Sequence, residues 1–260
     1  MPAELPALIE RAFGTDPARP LLTWYDDATG ERVELSVATT ANWVAKTANL
    51  LRDGLDVQPG DRVLVALPRH WQTPVVHLAT WLAGACVVAV EPGVLGVLGV
   101  AGVAGVAGVA GVAVPRCAAA FVSEAALDGG LAVPRGVETV ALSLRPMAGR
   151  LLREHPGVLD FAVEVPGHGD HFGPAPGPGV PAAEVDGGPL DAASLVGRAT
   201  SLGLAAGSRV YVRHEPWTTD GLVAGGLAPL LAGAGVLMVA GDRPASPERL
   251  AAERIVASLG

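Results

Sequence analysis

Lysine is almost missing from this chain: Lys46 stands alone against 17 arginines in 260 residues. Neither Gly-x(4)-Gly-Lys-Ser/Thr nor Gly-x-Gly-x-x-Gly follows a strand-like run, so the P-loop and dinucleotide patterns are excluded. Gly-x-Ser-x-Gly is absent as well, and Ser194 and Ser208 sit in ordinary helix and turn contexts, which removes a serine-hydrolase reading. There are two cysteines, Cys86 and Cys117, each in apolar surroundings and without a CxxC pattern, as expected of reduced core thiols. The first residues have neither a positive stretch nor an apolar one, so nothing marks export and a cytoplasmic protein is expected. The arginines form no basic run and the net charge is −8, so nucleic acid is not an expected partner.

What is abundant is apolar. With 50% hydrophobic and 17% charged residues the chain can bury a large core, enough for one large or two small domains. A unit of helix, tight turn, strand, helix and strand is written twice, in residues 36–92 and again in 191–242. The first copy centres on Gly60-Asp61-Arg62-Val63 and closes at Leu82-Ala83-Gly84-Ala85; the second centres on Gly207-Ser208-Arg209-Val210 and closes at Leu231-Ala232-Gly233-Ala234. Gly60 to Gly84 is 24 positions and Gly207 to Gly233 is 26. In the first copy Val37, Ala41, Val44, Ala48 and Leu51 line one helix face behind an N-cap at Ser36. Residues 62–67 read as a strand after the Pro59-Gly60 turn. A helix from Thr73-Pro74 with Val75, Leu78, Ala79 and Leu82 on its apolar side leads into a buried strand at 86–90. Two strands around a short helix are a right-handed parallel crossover, so the fold class is α/β with two pseudo-repeated parallel-sheet subdomains.

The expected organisation is a first subdomain over 1–166, a Gly/Pro-rich connection over 167–188 and a second subdomain over 189–260. Within the first, residues 5–13 read as a short helix, 21–25 and 32–35 as a hairpin, and 118–122 and 137–142 as further strands. A short helix is expected at 147–154 and an edge strand or extended connection at 160–165. Residues 93–113 are seven Gly-Val-x triplets followed by Val114. Three readings of 93–114 are open: a low-complexity insertion, a membrane segment and a self-associating element. As a helix its 22 residues would span about 33 Å, long enough for a bilayer. Against that, each glycine costs roughly 0.8 to 1 kcal/mol relative to Ala, and a period of three marks no helix face. Membrane association is not expected.

Several phrases carry a resemblance. Leu22-Thr23-Trp24-Tyr25, Ala48-Asn49-Leu50-Leu51, residues 57–63 and Trp81-Leu82-Ala83-Gly84-Ala85 are similar to the start of adenylate-forming enzymes, the AMP-binding acyl-CoA synthetases and their relatives. Residues 221–234 with Ser246-Pro247-Glu248-Arg249-Leu250 resemble a later part of the same domain. Residues 160–172 with Asp220-Gly221-Leu222 resemble, more narrowly, a short uncharacterised family related only to the front of that domain and lacking its catalytic motifs. The resemblance implies ATP or AMP, or CoA, as cofactor, and a Ser/Thr/Gly-rich phosphate loop ending in Lys between the two units. Here that interval, 172–188, keeps glycine but has no Ser, Thr or Lys. The parts carrying the adenine-site motif, the ribose-binding Asp and the small C-terminal domain would lie beyond Gly260. Trp217, Thr218, Thr219 and Asp220 stand where the resemblance places a pocket-lining phrase, so they are the candidate substrate-binding residues; for Asp220 a helix N-cap is the plainer reading. No catalytic residue is assigned. His168-Gly169-Asp170-His171 sits among glycines without a third ligand at helical spacing, so no metal is assigned either. His77 reads as a helix-surface histidine.

Two functions from different classes follow. One is a truncated, non-catalytic AMP-binding-like protein, a pseudoenzyme acting as a binding or partner module, with a protein or a small carboxylate or nucleotide as its partner. The other is an acyl- or aryl-adenylate-forming ligase, ATP-dependent, with a reduced site or completed by another chain. Any pocket is expected beside the carboxyl ends of the parallel strands, near the helix starts at Thr73 and Asp220.

Overall fold

The computed structural model describes residues 4–93, 106–107, 113–114, 116–131, 136–175, 181–186 and 188–260. It opens with helix α1 (Leu5–Phe13) and the antiparallel hairpin β1 (Pro20–Asp26) and β2 (Glu31–Ser36). Then come α2 (Val37–Asn49), β3 (Arg62–Ala66), α3 (Gln72–Leu82) and β4 (Cys86–Ala89). Within the triplet stretch the described residues form β5 (Val106–Ala107) paired with β6 (Ala113–Val114). The rest of 93–114 lies outside the described residues, and with it the choice among its three readings. After it come β7 (Ala119–Ser123), α4 (Glu124–Asp128), β8 (Glu138–Leu142), β9 (Val158–Asp160) and α5 (Phe161–Glu164). Strands β10 (Ala183–Val185) and β11 (Gly188–Leu190) form a second hairpin, followed by α6 (Ala192–Ser201) and β12 (Arg209–Val212). The chain continues through α7 (Thr219–Leu222), a π turn (Val223–Leu227) and α8 (Ala228–Ala232), then β13 (Gly235–Val239), α9 (Pro247–Ala252) and β14 (Ala257–Leu259). Among the described residues no helix is long and apolar enough to cross a membrane.

The two written units are alike down to individual hydrogen bonds. Gly60 N–H donates to Gly84 O at 2.9 Å, and Gly207 N–H to Gly233 O at 2.8 Å. Cys86 N–H donates to Asp61 O, and Gly235 N–H to Ser208 O in the same place. Arg62 faces Cys86 across a parallel pair, and Arg209 faces Gly235 across the other. All four glycines have φ between +69° and +93°, a region that β-carbon sterics make costly for other residues, which is why the sequence marks both turns with Gly. The interval between the two turn glycines is two residues longer in the second unit, and the added length falls in its second helix, where the π turn interrupts α-helical pairing.

Sheet membership crosses the expected 167–188 boundary in both directions. The five-stranded sheet runs β14-β12-β13-β1-β2 and the seven-stranded sheet β11-β10-β4-β3-β7-β8-β9. Each hairpin leads into the first helix of its own unit yet pairs with the other unit's last strand. Leu22 of β1 sits beside Val236, and Ala183 of β10 beside Val87. Trp81 of α3 reinforces the exchange by donating its buried indole N–H to Ala182 O at 2.8 Å.

Three local expectations are corrected. Residues 149–154 are not helical: a single 3-10 turn at Pro146–Ala148 has Met147 at φ +59°, and the chain beyond is held by side chains. Of the expected extended stretch 160–165 only Asp160 is in a strand, as the last residue of β9. Asp160 then accepts the Ala162 N–H at 2.9 Å and starts a helical turn through Phe161, whose side chain is buried. Finally α3 has no exposed side, every residue from Gln72 to Leu82 being buried. His77 is therefore an interior histidine: a helix apolar nearly all round packs on all sides.

Candidate functional site

A narrow cleft lies where β3 and β12 end and α3 and α7 begin, at the junction of the two units, with room for about one water molecule. It is on the expected side, beside the carboxyl ends of the parallel strands. From the first unit come Arg69, His70, Thr73, Pro74 and His77; from the second Val212, His214, Pro216, Gly221, Gly225 and Met238.

The loop after β3 positions the polar groups. Arg69 reaches across the junction, donating from Nη1 to Arg213 O at 2.5 Å and from Nη2 to Gly241 O at 2.6 Å, with Glu215 at 3.1 Å. One guanidinium thus ties the first unit to the ends of β12 and β13. Burial pushes the Glu215 carboxyl above the usual range, partly offset by Arg69. His70 accepts the Gln72 N–H at its Nδ1, which places the imidazole proton on Nε2, and Nε2 has no partner among the described residues. Its ring meets Trp24 edge-on at 4.3 Å. His77 packs against Trp81 instead. Burial pushes both imidazoles down to about 3. At neutral pH they are uncharged, able to exchange hydrogen bonds but too weakly basic to take a proton efficiently. Thr73 Oγ1 donates to Pro68 O at 2.7 Å and closes the turn into α3.

None of Trp217, Thr218, Thr219 and Asp220 lines this cleft; their neighbours Pro216 and Gly221 do. Trp217 is partly buried against the main core. Thr218 is the N-cap of α7, its Oγ1 accepting the Gly221 N–H at 3.1 Å, so the cap falls two residues before Asp220, which is exposed in the first turn. Both residues are good caps, and the sequence does not choose between them. Thr219 donates through N–H and Oγ1 to Asp186 at 3.0 and 2.8 Å. Gly221 has a stricter role: a Cβ there would stand 1.8 Å from Glu215 O. Gly221→Ala is expected to cost about 3 kcal/mol, and to lower Tm by roughly 6–12 °C in thermal melting, because backbone and not a movable side chain must give way. An unchanged Tm would show that the 215–216 turn is not held against α7.

The other polar candidates are structural. Lys46 donates to Pro166 O and His168 O at 3.2 and 2.6 Å, and Asn49 to Gly169 O and His171 O at 2.8 and 2.9 Å, so the His-Gly-Asp-His loop is fastened to α2 through its backbone. Among the described residues no group of three metal-ligating side chains comes together. Arg209 lies at the amino end of β12, away from the cleft, bonded to Thr23 and paired with Glu34 at 3.1 Å and Glu253 at 2.9 Å. The cleft histidines were missed in the sequence because nothing in the loop after β3 or in α3 announces that residues of β12 and α7 stand against them.

Comparison with known proteins places this geometry. The AMP-binding enzyme family matches residues 9–137. A "TIGR03089 family protein" of Mycobacterium tuberculosis is 38% identical over 256 residues, covering 97% of this chain and 96% of its own length. An acyl-CoA synthetase of Brucella canis superposes with a TM-score of 0.74 at 17% identity, over 98% of this chain and 47% of that one. A benzoate CoA ligase of Burkholderia xenovorans gives 0.68 at 20% identity, over 96% of this chain and 48% of its own. The chain spans about half the length of these two solved structures, and their likeness fixes its fold.

Proposed function

Since the chain belongs to the TIGR03089 family and is a short AMP-binding-like protein with an acyl-CoA synthetase-like fold, we propose that it is a non-catalytic binding or partner module built on that scaffold. The observation that carries this reading is the interval 172–188, which has no Ser, Thr or Lys. Its two carboxylates are already engaged, Glu184 with Arg62 at 2.7 Å and Asp186 with Thr219. Activating a carboxylate at the α-phosphate of ATP requires donors for the β- and γ-phosphates and a cation for developing charge. The sole lysine is spent on backbone carbonyls and Arg209 on an ion network at the far end of its strand. The two cleft imidazoles are too weakly basic to help. Buried thiols at Cys86 and Cys117, pushed up to about 12 by burial, suit a protein kept in the reducing cytoplasm.

The deciding experiment is carboxylate-dependent ATP–pyrophosphate exchange by the purified chain with fatty and aryl acids. The expected rate equals that of a heat-inactivated control, because losing even one preorganised donor costs roughly 10² to 10³ in rate. Exchange clearly above the control would replace this reading with an adenylate-forming ligase using a reduced site. A thermal-shift screen with ATP, AMP, CoA and small carboxylates then asks whether the module binds a small ligand.

A further inference from the structure

We propose that residues 144–153 form a preorganised docking surface for an acidic protein segment with an apolar centre. The proposal rests on the partner-module reading and names the chemistry of the partner.

The segment lies between β8 and β9, and its backbone is unusual. Leu144, Met147 and Ala148 have φ of +56°, +59° and +50°, a conformation that residues with a β-carbon adopt only when their surroundings enforce it. Here they do. Ser143 Oγ donates to Gly149 O at 2.5 Å and Arg145 Nη2 to Arg150 O at 2.5 Å. The buried Glu124 carboxylate accepts the Leu152 N–H at 2.5 Å, Asp160 accepts the Leu151 N–H at 3.0 Å, and Glu31 accepts the Met147 N–H at 3.3 Å. Carboxylates from α4, the end of β9 and the first hairpin thus hold this loop from three sides. A loop already fixed loses little entropy on binding.

What the loop's own side chains present is apolar and positive, between the carboxylates of Glu31, Asp128 and Asp160 that border it and the exposed Glu154 that follows it. Met147 is 93% exposed and Leu152 66%. Among the described residues four large apolar side chains are exposed, and three of them, with Val163, fall within residues 147–163. Arg145, Arg150 and Arg153 are all exposed, and residues 144–153 contain no acid, in a chain whose net charge is −8. Met and Arg are enriched at protein interfaces, where a few anchors carry most of the binding. Complementary charge on the partner is negative. An anionic membrane surface is the weaker match: such sites gather about four to eight cations. This loop has three, one of them paired with Asp128 at 3.4 Å.

The test uses the full chain and a fluorescent synthetic helix with Leu at one face and Glu elsewhere, followed by anisotropy. A peptide of the same Leu pattern with Lys for Glu, and phosphatidylserine vesicles, are the comparisons. Met147→Ser and Arg150→Glu alter side chains for which no hydrogen bond is seen among the described residues, so both variants should melt like the parent. Binding of the acidic peptide is expected, weakened at least about tenfold in each variant and lost between about 0.05 and 0.5 M salt. No binding, equal binding by parent and variants, or preference for the Lys peptide or the vesicles overturns the proposal. Pyrophosphate exchange measured on the same preparation decides the non-catalytic reading by itself, since the docking surface is judged only by the variants.

Discussion

Expressed separately, residues 1–175 and 181–260 are expected to remain unfolded or aggregate, whereas the two expressed together should assemble into a soluble pair. In the first fragment β4 loses β10, and the buried Trp81 indole loses its acceptor Ala182. In the second, β13 loses β1, and Glu253, only 6% exposed, loses Tyr25 and Arg32 while keeping Arg209. Each fragment would display an open parallel strand edge of apolar residues, an invitation to aggregate. An unpartnered buried indole donor and a weakened buried ion pair add roughly 1 to 3 kcal/mol each, against total stabilities of about 5 to 15. Circular dichroism and size exclusion of the fragments, alone and co-expressed, read the outcome. Cooperative folding of 181–260 alone would show that the exchanged hairpins contribute little.

Acid should unfold the protein well above the pH at which its surface carboxylates titrate. His70 and His77 stay neutral in the folded state down to about 3 but take up protons near 6.5 once exposed. Their folded pKa values are depressed, so below pH 6.5 the unfolded state binds more protons and stability falls as pH falls. The loss is about 2 kcal/mol per histidine at pH 5, or about 4 for the pair, and each contributes a slope of about 1.4 kcal/mol per pH unit between 6 and 4. The raised carboxyls of Glu31 and Glu215 act in the opposite sense, and that of Glu253, held low by Tyr25 and the arginines despite its burial, adds a further loss at lower pH. Urea titrations at stepped pH should show the midpoint dropping steadily below pH 6. His77→Leu should remove about half of that slope; an unchanged slope would mean that this imidazole titrates freely in the folded protein.

The two repeated units could be read from the sequence because their turns depend on particular residues. Gly60, Gly84, Gly207 and Gly233 each supply a left-handed backbone, and the apolar periods between them identify helix and strand. The first hairpin was equally visible, though its sheet was not, and the second, β10–β11, lay hidden in and beside the stretch that reads as a Gly/Pro-rich connection. A strand pair such as β1–β2 shows which face is apolar and says nothing about which parallel edge it will join. The same limit hid the cleft. His70 and His77 look ordinary on a single loop and helix, and they become interior only when β12 and α7 close over them. The segment 147–154 was misread because its leucines suggest a helix, but Glu124 from α4 and Asp160 from the end of β9 capture N–H groups a helix would need. The candidate phrase 217–220 was placed within one residue of the cleft on both sides, and its hydroxyls turned out to be committed to capping α7 and holding Asp186.

The exchange of hairpins also sets an order of events on the ribosome. Leu22 emerges early, yet its neighbour Val236 is 214 residues away, so β1 and β2 must wait for nearly the whole chain before they find their sheet. Contacts that distant in sequence make folding slow. The seven-stranded sheet has its own delay, because β4 is synthesised long before β10 arrives to cover it. Between those moments the nascent chain carries an apolar hairpin and an open strand edge at once. Charged side chains at Glu31, Arg32 and Glu34 on β2 are the kind that oppose edge-to-edge pairing of such a ribbon, and Arg32 meets its partner Glu253 only when the end of the chain arrives.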